Sequence, residues 1–214
     1  MKRKRSSSRP NGSVKRALAE HNVHRDPVVQ FNNWFSRVLK SKNPQPLAMA
    51  LATASAIGKP TVRIVLLKAV DSRGFSFYTN YDSVKGRQLA ENPTAALLFY
   101  WAQFGRQVRV EGTVERLTRK ESLEYFEQRP RMSRIGAWAS HQSNIIESRL
   151  LLESRFRKYQ KKFRNGTVPL PNYWGGYRLV PRRFEFWQSR PNRLHDRIAY
   201  VRQRNSWRIV RLSP

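Results

Sequence analysis

The chain of 214 residues carries 42 Lys and Arg against 14 Asp and Glu, a formal net charge of +28, and contains no cysteine. That length fits one domain or one domain with an elaborated edge, and a content of 39% hydrophobic and 12% aromatic residues can fill a core, which excludes wholesale disorder. Without Cys there are no disulfides, thiolate metal sites, iron–sulfur clusters or Cys nucleophiles, and the longest uncharged stretch, Asn43 to Gly58, has 16 residues and two prolines, short of the ~20 apolar residues of a membrane span.

Residues 1–19 hold Lys2, Arg3, Lys4, Arg5, Arg9, Lys15 and Arg16 with no acid, so +7 of the charge lies there and 28 − 7 = +21 on residues 20–214. This Ser-rich tail has no apolar h-region and is expected to be disordered, serving either as a targeting or nucleic-acid arm or as a plain solubilising tail. A cytoplasmic protein is the expectation, with its folded domain over residues 20–214. From Asp26 the pattern changes: Asp26 can cap, Pro27 suits a first helical turn, and Val28, Phe31, Trp34, Phe35, Val38 and Leu39 recur at helical spacing. Apolar, β-rich runs follow at Pro46–Ser55, Val62–Val70 and Phe75–Asn80, separated by the turn signals Ile57-Gly58-Lys59-Pro60 and Asp71-Ser72-Arg73-Gly74. A short helix is predicted over Val84–Glu91, then strands near Ala95–Trp101 and Val108–Arg116 around a turn at Gln103-Phe104-Gly105. Helices are predicted from Arg119 to Gln128, stopped by Pro130, and from Asn144 to about Phe163, ended by Asn165-Gly166. Beyond Pro169–Pro171 come strands at Tyr177–Leu179 running on through Phe184–Gln188, at Ile198–Gln203 and at Trp207–Leu212. Seven or eight short strands with helices between hairpins predict an α+β fold that is mainly β, an antiparallel barrel decorated with helices.

None of the ten glycines forms a Gly-x-Gly and no Gly-Lys-[Ser/Thr] occurs, so any nucleotide phosphate must be held by side chains. His21, His24, His141 and His195 form no ligand cluster, and His21 and His24 with Asp26 make at most a weak chelate, so no metal site is expected. No Gly-x-Ser-x-Gly elbow supports a serine nucleophile. Two groupings have the makings of a site. Tyr125 and Arg129 are four apart on a helix and share a face, with Ser133 just past the break; a phenol, a guanidinium and a hydroxyl there suit a phosphate monoester, or equally mark a solvated helix end. In Arg193-Leu194-His195-Asp196-Arg197, an extended chain would place Arg193, His195 and Arg197 on one face, either as an anion or aromatic-ligand site beside Trp187 or as a basic edge strand that resists aggregation.

Several motifs together resemble the pyridoxine (pyridoxamine) 5′-phosphate oxidase family in order and spacing: Arg63-Ile-Val-Leu-Leu-Lys68, Phe77-Tyr78-Thr79-Asn80, Arg129-Pro-Arg, Ile135-Gly-Ala-Trp138, Gln142-Ser143, Pro169-Leu-Pro, Trp174-Gly-Gly, Glu185-Phe-Trp187 and Arg193-Leu-His-Asp-Arg197. The resemblance covers roughly Leu18 to Pro214. It implies a split β-barrel that binds FMN, a homodimer with two sites at the subunit interface, and a C-terminal dimerisation and substrate segment over about residues 170–214. The implied reaction oxidises pyridoxine or pyridoxamine 5′-phosphate to pyridoxal 5′-phosphate, with O2 reduced to hydrogen peroxide.

Carried over position by position, Arg63 and Lys85 would pair with the FMN phosphate, backbone groups of Ile64, Val65 and Leu66 would meet the flavin ring, and Leu67 would belong to the same cofactor pocket. Lys68, Tyr78, Thr79, Val84, Gln107, Gln142, Ser143, Trp187 and Arg197 would complete the cofactor pocket, several of them from the partner chain. Lys68, Tyr125, Arg129 and Ser133 would hold the substrate phosphate, while Arg193, Leu194 and His195 would lie at the pyridine ring, Arg193 and His195 as catalytic residues. Arg63 and Lys68 have opposite strand parity, so either a bulge separates them or one serves from a strand end. The chain departs from the family at Val84, where an Arg is usual, and shows no Arg-x-x-Tyr near Gly12 and no Arg-rich run at Ala19-Glu20-His21-Asn22. Two alternatives are a flavin-binding split-barrel protein with another substrate, and a basic protein on the same scaffold whose partner is nucleic acid; for the oxidase itself only weak, non-specific association with nucleic acid is expected.

Overall fold

The computed structural model describes residues 17–214, so the tail expectation lies outside the described residues for positions 1–16. Asp26 caps the first helix, α1 (Pro27–Leu39), by accepting a hydrogen bond from the Val28 N–H at 2.7 Å. The helix buries Phe31, Trp34, Phe35 and Val38 against Phe75, Phe99, Trp101 and Phe186 of the sheet. Each fully buried side chain of this kind stabilises the fold by roughly 1.5–3 kcal/mol.

Strands β1 (Ala48–Ala54), β2 (Pro60–Leu66), β3 (Ala69–Asp71), β4 (Gly74–Asn80), β5 (Thr94–Trp101), β6 (Arg106–Arg116), β7 (Trp174–Gln188), β8 (Asp196–Gln203) and β9 (Ser206–Arg211) form one antiparallel sheet. Nine strands among the described residues replace the expected seven or eight, because Val62–Val70 is not one strand. Leu67 N–H donates to Leu47 O and Lys68 N–H donates to Ser76 O, so the chain leaves the β1 side and joins the β4 side at this corner. Lys68 therefore sits past the end of β2, which resolves the parity conflict with Arg63 in favour of a strand end.

The order β2-β1-β5-β6-β7-β4-β3 makes β7 the spine. One edge of β7 pairs with β6 along its length; the other pairs with β4 over Trp174–Leu179 and with β8 over Arg183–Gln188. One long strand thus serves two partial sheets, and the sheet curls into a split antiparallel barrel. A bulge at Glu111/Gly112 opposite Pro181 lets β7 bend, and Gly112 is required there because a Cβ would lie 2.1 Å from Val180 O.

Helices α2 (Val84–Glu91), α3 (Arg119–Gln128), α4 (Arg131–Ala139) and α5 (Arg149–Lys162) decorate the barrel. Two corrections to the predicted helices apply. Pro130 ends α3 but also precedes α4, a helix that none of the predicted elements covers; Ile135 and Ala139 bury the inner face of α4. Helix α5 starts at Arg149 and not Asn144, because the Ser148 side chain caps it by accepting from the Leu151 N–H. A second core of Phe126, Ile135, Phe163, Val168, Leu170 and Trp174 ties α3 and α4 to the start of β7. No helix of the described residues is long and apolar enough to cross a membrane.

Candidate active site

A cavity of about 670 Å³ opens where β2, the β2–β3 corner, β4, α2 and the α3–α4 junction meet, lined by Arg63, Ile64, Val65, Leu66, Lys68, Tyr78, Lys85, Tyr125, Arg129, Pro130, Ser133 and Gln142. Most of the phosphate-binding residues implied by the resemblance therefore share one space. In β2 the alternation is regular: Arg63 and Val65 turn inward, while Ile64 and Leu66 are exposed on the terminal strand of the sheet. Leu67 is buried in the main core and does not line the cavity.

The cations of this cavity are unusual in having no anion. Among the described residues, none of Arg63, Lys68, Lys85 and Arg129 is ion-paired with a carboxylate. Lys85 Nζ is buried and donates to Gln142 Oε1 at 2.8 Å and to Thr79 Oγ1 and Ser83 Oγ at 3.3 Å, all neutral acceptors. Burial, and then the nearby Arg63, push its pKa down to about 8. Burial likewise lowers the Arg63 pKa. Arg129 lies over the Trp174 ring at 4.5 Å, its pKa is lowered by burial, and its Nη1 is a buried donor with no protein partner. A desolvated guanidinium with an unused donor costs free energy that an anion recovers.

Tyr125 and Arg129 do share a face at the end of α3, as their spacing predicts, and Ser133 follows on the first turn of α4. Tyr125 stacks on Tyr78 with centroids 3.9 Å apart, and both lie near parallel to Trp174. Lys68 Nζ stands 5.5 Å from the Tyr125 ring centroid. Trp174 is a member of the site that the sequence reading quoted only as part of a motif; its spacing to Tyr125 and Arg129 carries no local signal. At α2, Val84 N–H donates to Ser143 Oγ at 3.3 Å and Thr79 Oγ1 donates to Gln142 Oε1 at 3.2 Å, so the Gln142-Ser143 pair is fastened to the same chain's α2 start. Ser143 holds a left-handed φ of 73° to do so.

The remaining residues lie elsewhere. Gln107 and Trp187 are register partners on β6 and β7, and the Trp187 ring lies 4.6 Å from that of His195. Tyr78, at the cavity, pairs with Gly176; Trp187 is 187 − 176 = 11 residues further along β7, a contour on the order of 35 Å at about 3.3 Å per residue. The extended Arg193–Arg197 segment is not observed. Residues Pro191–Arg193 form a 3-10 turn with Asn192 and Arg193 at φ 57° and 59°, and β8 begins only at Asp196. His195 Nδ1 accepts the Arg190 N–H, which leaves Nε2 to carry the proton of the neutral ring. Arg193 and Leu194 are exposed, whereas Arg197 donates to the buried Glu185 at 2.8 Å and to Ser213 O. Glu185 also takes Arg109, so Arg197 is an ion-paired strand residue and not a free cation. His24 and Asp26 are committed to the α1 cap.

Comparison with known proteins gives two family matches: "Pyridoxamine 5′-phosphate oxidase" over residues 37–163, and "Pyridoxine 5′-phosphate oxidase C-terminal dimerisation region" over residues 174–214. The chain is 57% identical over 199 residues to a pyridoxine/pyridoxamine 5′-phosphate oxidase of Cupriavidus taiwanensis, covering 92% of this chain and 93% of the relative. It is 54% identical to that of Burkholderia thailandensis, over 92% and 94%. Among solved structures, PhzG from Burkholderia lata, in complex with tetrahydrophenazine-1-carboxylic acid, superposes with a TM-score of 0.87 at 30% identity, covering 93% of this chain and 98% of that one. A pyridoxamine 5′-phosphate oxidase-related, FMN-binding protein of Nostoc punctiforme shares the fold, with a TM-score of 0.68 at 15% identity over 92% and 98%. On these matches the chain belongs to the pyridoxamine 5′-phosphate oxidase family of oxidoreductases.

Proposed function

We propose that the protein is an FMN-dependent homodimeric oxidase that converts pyridoxine 5′-phosphate and pyridoxamine 5′-phosphate to pyridoxal 5′-phosphate with O2 as the acceptor. The observation that carries this reading is the pair of carboxylate-free cation clusters in one cavity, Arg63 with Lys85 and Lys68 with Arg129, which suits two phosphates: one on a cofactor and one on a substrate. The residues fit a flavin mononucleotide. Arg63, Lys85 and the α2 start would hold its phosphate, and the backbone edge of the terminal strand β2 has hydrogen-bonding groups to offer a ring. Val84 at the first position of α2 brings no charge, so Lys85 bears that share of the phosphate alone.

When bound, the flavin supplies the two-electron acceptor that the protein lacks. The chain's own residues bind and align. Lys68, Tyr125, Arg129 and Ser133 fix the substrate by its phosphate, and the Tyr78–Tyr125–Trp174 stack keeps Tyr125 and Arg129 in place. Arg193 and His195 would present their polar groups to the pyridine ring from a second protomer, because within one chain they lie at the far end of β7 from Arg129. The match of residues 174–214 to a dimerisation region supports this arrangement.

The test is to record the visible spectrum of the purified protein with added FMN, then supply pyridoxine 5′-phosphate under air. A flavin spectrum with peroxide and pyridoxal 5′-phosphate formed in equal amounts is expected; a protein that binds no FMN and forms no peroxide sinks the reading. The likeness to PhzG sets the competing arm, a tricyclic carboxylate substrate. Turnover of that class with none of the phosphorylated pyridines would replace the substrate assignment.

A further inference from the structure

The phosphate-end arginine is held by a rack of neutral side chains that neither the family motifs nor the sequence reading includes. Arg63 Nη1 donates to Thr53 Oγ1 at 2.6 Å and to Leu51 O at 3.2 Å, and Arg63 Nη2 donates to Thr61 Oγ1. Both hydroxyls in turn donate to a single atom, Gln88 Oε1 on α2, at 2.5 Å from Thr53 and 2.7 Å from Thr61. Thr53 and Gln88 are buried, at 3% and 8% exposure, so no solvent substitutes for these partners.

The direction of these bonds decides what Arg63 can do. A hydroxyl has one proton and two lone pairs. Because Gln88 Oε1 takes the proton of each threonine, each is left with only lone pairs to turn toward the guanidinium. Three of the five guanidinium hydrogens are thereby spent on protein acceptors, and the Nε hydrogen and one Nη2 hydrogen are left over. Those two form one bidentate edge, the geometry with which arginine grips a phosphate.

We propose that Gln88, acting through Thr53 and Thr61, is a positioning residue that orients Arg63 and thereby sets affinity for the phosphate end of FMN. The inference rests on the flavin reading above and goes beyond it in assigning the rack. Without the Gln88 carbonyl the threonine hydroxyls rotate freely, and Arg63 loses its fixed edge although no cofactor contact has been removed.

The test compares dissociation constants for FMN and for riboflavin, which has the ring but no phosphate, in Gln88→Leu, Thr53→Val and Thr53→Ser, each checked for folding by thermal melting. FMN affinity is expected to fall about tenfold in Gln88→Leu and Thr53→Val, roughly 1.4 kcal/mol, with riboflavin affinity unchanged and Thr53→Ser close to the unsubstituted protein. Equal weakening of both ligands would mean a merely structural role and overturns the proposal, as does unchanged FMN affinity in Thr53→Val. If Gln88→Leu does not fold, the threonine pair still decides. An unsubstituted protein that binds FMN no better than riboflavin overturns the phosphate seat itself, a different failure that is read before any variant is made.

Discussion

Arg129 and Arg193 carry the same charge in different surroundings, and their substitutions should part accordingly. Arg129 is half-buried over Trp174 with an unused donor, and its work is to hold an anion. Arg129→Ala should raise KM for the phosphorylated substrate by about ten- to a hundredfold, the worth of a charge-assisted bond at roughly 1.5–3 kcal/mol, with kcat little changed. Arg193 is exposed on a turn and is proposed to meet the reacting ring, so Arg193→Ala should lower both kcat and affinity; steady-state kinetics separate the two patterns, and an unimpaired Arg193→Ala enzyme counts against the assignment. Lys85 adds a pH signature. Its pKa is depressed to about 8 in the ligand-free site, burial being the main cause, whereas a bound phosphate favours the ammonium. FMN binding should therefore take up a proton near pH 8, with affinity full below that pH and weakening as pH rises above it; calorimetry in buffers of different ionisation enthalpy measures the uptake. The linkage to folding has the opposite sign: the unfolded chain holds the Lys85 proton up to its ordinary pKa of 10.5, so the ligand-free protein should gain stability as pH rises from about 8 to 10.5.

Helix α3 sets where Tyr125 and Arg129 stand, and its first turn sets α3. Thr118 and Glu121 form a capping box, with Thr118 Oγ1 accepting from the Glu121 N–H and Glu121 Oε2 accepting from the Thr118 N–H at 2.9 Å. These bonds from Thr118 come first, and Arg178 second, in holding the Glu121 carboxyl down to about 2. Thr118→Ala should cost about 1 kcal/mol and lower Tm by a few °C, as seen by circular dichroism. A depressed carboxyl pKa gives stability that is complete above the ordinary value of 4.5 and is lost as pH falls toward 2, so the difference between the variant and the parent protein should shrink over that range. Helices such as α1 are legible in sequence because capping, proline and apolar period all agree from Asp26 onward. Helix α4 is not, since Pro130 reads as a stop and Gly136 weakens the pattern, and only burial of Ile135 and Ala139 reveals why a helix forms there. The corner at Leu67-Lys68 hides inside the β-rich run Val62–Val70, because no glycine or proline marks the break and only the switch of backbone partners from Leu47 to Ser76 reveals it. At the site, Tyr125 and Arg129 were legible through helix spacing. The Arg193–Arg197 turn was not, because left-handed Asn192 and Arg193 convert an apparent strand into a bend, and the Thr53, Thr61 and Gln88 rack is spread over three elements with no shared spacing.

At the scale of the molecule, β7 places the two halves of the proposed site at opposite ends of one strand, so the proposed site would draw on two chains. Mixing Arg129→Ala and Arg193→Ala homodimers under conditions of subunit exchange should then restore activity, assayed at substrate near the parent KM, where the raised KM leaves the Arg129→Ala homodimer nearly inactive. Random pairing gives half heterodimers, each with one intact site, or about a quarter of the parent activity; no recovery would place both residues in one protomer's site. The charge follows a different logic. Arg197 is neutralised by Glu185, so the proposed site uses Arg63, Lys68, Lys85, Arg129 and Arg193, and 42 − 5 = 37 basic residues remain outside it. Two phosphates of about −2 each cannot account for a net charge of +28. A surplus of this size raises the local concentration of any polyanion through counterion release, without a dedicated pocket. The protein should accordingly be retained on immobilised DNA at low ionic strength and elute early in a salt gradient, and saturating FMN with substrate should leave the elution salt unchanged. Elution by FMN at constant salt would instead assign the retention to the Arg63–Lys85 cavity, making the excess charge electrostatically silent.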